Sequence, residues 1–78
     1  MPTAMRSGPY RLYFYSNERR EPAHIHVDRD EDSAKFWLDP VSLARNLGFS
    51  PRELGTIEAI VLGNQGALLE AWHEFHGA

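Results

Sequence analysis

The sequence predicts an α+β domain: a small antiparallel sheet of three or four strands, with one face covered by a long C-terminal helix. Three observations carry that prediction. Apolar and polar residues alternate strictly through Ala23–Asp28. A helix start is written at Ser50-Pro51-Arg52-Glu53. Behind it, apolar residues recur at helical spacing to the C-terminal end.

Residues 1–9 read as an extended N-terminal arm, closed by Ser7-Gly8-Pro9. Tyr10–Tyr15 (YRLYFY) is rich in aromatics and reads as the first strand. Ser16–Pro22 is polar and reads as a loop. Ala23–Asp28 (AHIHVD) is the second strand, Arg29–Asp32 a charged turn and Ser33–Leu38 (SAKFWL) the third strand. Asp39-Pro40 is a break. Val41–Leu47 fits a short edge strand or a single helical turn, and the edge strand is preferred.

Ser50 is placed as N-cap, Pro51 as first helical residue and Glu53 as the partner in a capping box. Phe49 and Leu54 are spaced for a hydrophobic staple. The apolar stripe runs Leu54, Ile57, Val61, Leu68, Trp72 and Phe75, with Asn64 or Gln65 filling its gap. Its phase holds across Gly63–Gly66, so one helix from Pro51 to His76, kinked at the glycines, is preferred to two. Gly77 is the natural stop. His73 and His76 complement the helix dipole when protonated.

Seventy-eight residues allow one domain, spanning 1–78, with a thin core. There is no cysteine, so no disulfide supports it. The start lacks the apolar stretch of a secretory signal, and no apolar run approaches the roughly 20 residues that span a bilayer. The cytoplasm is the default compartment and no membrane is expected. The net charge of −3 argues against nucleic acid as the main ligand. Residues 1–29 nonetheless carry +2 and residues 30–78 carry −5, a split that fits two differently solvated surfaces.

Strand parity sorts the side chains onto two faces. Leu12, Phe14, Ala23, Ile25, Val27, Ala34, Phe36 and Leu38 face the helix. The opposite face receives Arg11, Tyr13 and Tyr15 from the first strand. The second adds His24, His26 and Asp28, and the third adds Lys35 and Trp37. Aromatic bodies mixed with cationic tips suit either a bolstered thin sheet or a partner-binding face.

The stretch Glu21-Pro22-Ala23-His24-Ile25-His26-Val27, followed by Ala34-Lys35-Phe36-Trp37-Leu38, resembles the bacterial domain-of-unknown-function family 4160. Leu69-Glu70-Ala71-Trp72-His73-Glu74-Phe75 resembles that family's helix end. The resemblance runs from about Tyr10 to Gly77. Ala23 and Ile25 stand where proline and phenylalanine are more usual, and both histidines are kept. The resemblance implies a small prokaryotic protein with no established activity, often encoded beside another small protein. It further implies a toxin–antitoxin-like or regulatory pairing, and supplies no catalytic residues.

Three chemistries remain open. The first is a non-enzymatic interaction module that binds a protein partner, such as an adjacent gene's product, through Arg11, Tyr13, Tyr15, His24, His26, Lys35 and Trp37. The second is metal-independent RNA cleavage, with His24, His26 and Lys35 as acid–base candidates and Arg11 or a tyrosine beside them. The third is zinc or a similar divalent ion held by His24 and His26, about 6.6 Å apart along the backbone, with Asp28 next and Glu21 near. No cofactor is expected on the first two readings. A homodimer covering Trp37 also fits a core this thin. No serine elbow or phosphate loop is present; Gly63-Asn64-Gln65-Gly66 lacks a preceding strand.

Overall fold

The computed structural model describes residues 3–15 and 20–76. Its sheet has five antiparallel strands in sequence order: β1 Thr3–Ser7, β2 Tyr10–Tyr13, β3 His24–Arg29, β4 Asp32–Leu38 and β5 Val41–Leu47. Two helices follow, α1 Pro51–Gly63 and α2 Gln65–His76.

Three differences from the sequence expectation stand out. First, the expected N-terminal arm is strand β1, paired with β2 so that Ser7 faces Tyr10 across a two-residue loop. Gly8, at φ +57°, takes the first loop position, the glycine-first pattern of a primed hairpin turn, with Pro9 second. That signal lies in Gly8-Pro9 itself and makes the sheet five-stranded rather than three- or four-stranded. Second, β2 ends at Tyr13, so Phe14 and Tyr15 lie beyond its ladder. Third, the helical stretch is two helices. Asn64 leaves the helical path (φ −121°, ψ 13°), and its side-chain amide donates to the Ile60 carbonyl at 2.7 Å. Gln65 Nε2 donates to the Leu38 carbonyl at 2.6 Å and ties the break to the end of β4. Part of the Ser16–Pro22 loop and the expected stop at Gly77 lie outside the described residues.

β5 occupies the expected range and is the sheet edge. Lys35 and Phe36 pair with Arg45 and Leu43, leaving Ala44 as the extra residue of a bulge. Asn46 then bonds Phe49 twice, donating to its carbonyl at 2.9 Å and accepting from its N–H at 3.0 Å. This holds the Gly48 turn and aims α1 back under the sheet.

Parity sets the core. Leu12, Phe14, Ile25, Val27, Phe36 and Leu38 are buried against Ile57, Val61, Leu68 and Trp72. The inner face is therefore closed by the helices, and on the opposite, open face Tyr13 and His24 are buried while the other described residues are partly or fully exposed. Among the described residues no helix is long and apolar enough to cross a membrane.

Candidate functional site

The open face is built by cross-strand pairing. Tyr13 pairs with His26, His26 with Lys35 and Lys35 with Arg45, so one row of four side chains crosses β2–β5. A second row runs through His24, Trp37 and Ser42. A third runs through Arg11, Asp28, Ser33 and Leu47.

Within this grid the rings interlock. Tyr13 stacks on His26 with centroids 5.3 Å apart. Tyr15 meets His26 edge-on at 4.8 Å, and the Arg11 guanidinium lies 4.5 Å over the Tyr13 ring. The Tyr13 hydroxyl donates to Asp28 at 3.1 Å. Burial above all, then hydrogen bonding with Tyr15 and the charge of Asp28, holds the Tyr13 phenol above its ordinary range. Tyr13 therefore stays a proton-bearing donor. Lys35 pairs with Glu21 and sits 4.7 Å over Trp37.

Between the rows lies a concavity of about 330 Å³, lined by Tyr13, Tyr15, His26, Lys35, Arg45 and Leu47 together with Glu21, whose carboxylate is taken by Lys35. Arg45 and Leu47 come from β5. The sequence reading missed them because pairing, not spacing, places them beside Lys35 and Ser33. Arg45 is exposed, and among the described residues no carboxylate pairs with it.

His24 departs from the expectation of two partly exposed histidines. Its side chain is fully buried, 5.8 Å from Trp37 and 4.7 Å from Trp72 of α2. The β2 ladder stops at Tyr13, opposite His26, and Trp72 of α2 reaches the His24 ring from the helix side. His24 Nδ1 donates to the Pro22 carbonyl at 2.9 Å. Of the two histidines, only His26 lines the concavity.

Of the groups considered for a metal, the His24 and His26 rings lie 5.1 Å apart and Glu21 Oε1 lies 3.9 Å from His24 Nδ1. Asp28 accepts from Tyr13, and among the described residues no three His, Asp or Glu side chains gather as a metal site. His76 has another role. Its Nδ1 lies 3.1 Å from the Trp72 carbonyl and its Nε2 3.1 Å from the Tyr15 carbonyl, pinning the end of α2 to the segment after β2.

The model of a family described as a domain of unknown function (DUF4160) matches residues 10–73 of the chain. No curated protein and no solved structure matches it.

Proposed function

We propose, from the premise that the chain belongs to this family of unknown function, that it is a non-catalytic binding module. On this reading a protein partner seats on the open face of the sheet. The observation that supports it is the row Tyr13–His26–Lys35–Arg45 with its concavity of about 330 Å³, on a sheet whose other face is closed by helices. Aromatic anchors flanked by cations are the residue types that dominate binding energy at interfaces. The burial of His24 favours binding over catalysis, because it removes one of the three acid–base candidates from solvent. The partner suggested by the family resemblance is the product of an adjacent gene, in a toxin–antitoxin-like or regulatory pair.

Co-purification with that product tests the proposal. His26→Ala and Trp37→Ala each weaken capture while circular dichroism stays that of the wild type. Undiminished binding by both folded variants overturns it.

A second reading, metal-independent RNA cleavage, is favoured by His26 standing next to Lys35 with Arg45 beyond. RNA incubated with the protein and a chelator separates the two. Cleavage abolished by His26→Ala marks an enzyme, and intact RNA marks the binding module. Stoichiometric zinc in the purified chain is expected by neither.

A further inference from the structure

The free edge of β5 points to the way a partner joins. We infer that an extended partner segment with alternating acidic and apolar residues adds to the sheet as a sixth strand beside β5. The inference rests on the partner-binding reading and specifies its geometry.

β5 is terminal in the sheet, and none of its seven residues is buried. Among the described residues no strand pairs with its far side, which presents backbone donors and acceptors to solvent. Leu43 and Leu47 are 44% and 56% exposed, more apolar surface than a guarded edge displays. The edge also separates two environments. On the open face it borders Arg45, Lys35 and the concavity already described. On the helix face it borders a second hollow of about 290 Å³, where Leu43, Phe36 and Leu54 meet Pro51 and Glu58.

Side chains of an added strand alternate between those environments. Those on the open face meet Arg45, for which no described residue supplies a carboxylate. Those on the helix face meet apolar walls and the negative Glu58, which rejects a second acid. The fitting segment is therefore acidic at one parity and apolar at the other. A second copy of this chain fits poorly. Two antiparallel β5 strands bring two Arg45 side chains into one short ladder, and β5 contains no acid to meet them.

The probe is a capped peptide of four Glu-Val repeats, with a Lys-Val peptide and a fully N-methylated Glu-Val peptide as controls. Calorimetry is expected to show binding of the Glu-Val peptide alone, and hydrogen exchange to show protection along residues 41–47. Arg45→Glu weakens that binding about tenfold and admits the Lys-Val peptide. Equal binding of the N-methylated peptide, protection elsewhere, or no binding of the Glu-Val peptide overturns the inference. So does protection of β5 that rises with protein concentration alone, which makes a second copy the occupant. If His26→Ala and Trp37→Ala still cost partner capture while β5 ignores the peptide, strand addition fails and the open-face reading stands.

Discussion

Glu53 shows how one residue serves two structures at once. Its backbone N–H donates to the Ser50 Oγ at 3.2 Å, which caps α1 as the sequence suggests. Its carboxylate does not return to the cap. It is taken by Arg29 at 2.5 and 2.8 Å and by the Tyr10 hydroxyl at 2.8 Å. Arg29 first, and Tyr10 second, hold the Glu53 carboxyl below its ordinary 4.5. A depressed carboxyl adds stability that is complete above about pH 4.5 and is lost as pH falls through the lower folded value. Glu53→Gln is therefore expected to lower stability at neutral pH and to flatten the acid limb, as read by denaturant midpoints from pH 7 to 3. Gly48 is constrained by space and backbone together. It sits at φ +109°, and a Cβ there would overlap the Asp32 carboxylate. Gly48→Ala is expected to cost at least about 1–3 kcal/mol in urea unfolding, whereas Gly8, with open space around it, tolerates alanine better.

At the scale of elements, the break between α1 and α2 turns on Asn64 and Gln65 rather than on the glycines beside them. A Cβ added at Gly63 or Gly66 would meet open space, so neither glycine is required by close packing. Gln65 instead offers its amide to the last carbonyl of β4. Gln65→Leu leaves that carbonyl without its donor and is expected to cost about 1 kcal/mol, read as a lower midpoint at unchanged slope. The far end of α2 hangs on His76. A protonated imidazole donates to both carbonyls it faces, and a neutral one to only one. His76→Ala is expected to speed amide exchange over the last turn of α2 while leaving α1 unchanged.

For the whole molecule, the meander buries one face and leaves the other to carry function. The core is small enough that each inner side chain counts. Ile57 is fully buried between sheet and helix, and Ile57→Ala is expected to cost about 2–5 kcal/mol, a large part of what a domain of this size possesses. Stability and binding should separate by face. Variants at Ile57 or Leu68 shift unfolding, whereas Trp37 and Arg45 variants shift partner capture with little change in melting temperature.

Much of this was legible in the chain itself. Period-two alternation in AHIHVD and SAKFWL determined which side chains face the helices, because successive strand residues must point to opposite sides. Ser50-Pro51 determined where α1 begins, because a cap is a local hydrogen bond. The VSLARNL segment fitted an edge strand or a single helical turn, and the preferred edge strand is the one that forms, over the same residues. What tertiary structure alone decided was everything set by pairing or by cover. Arg45 joins Tyr13, His26 and Lys35 only through the register of four strands, a relation across more than thirty residues that no local pattern encodes. His24 is buried rather than exposed, with Trp37 of the neighbouring strand and Trp72 of α2 packed against its ring. Parity is a property of one strand and is carried by its sequence; cover is a property of its neighbours, and only the assembled fold supplies it.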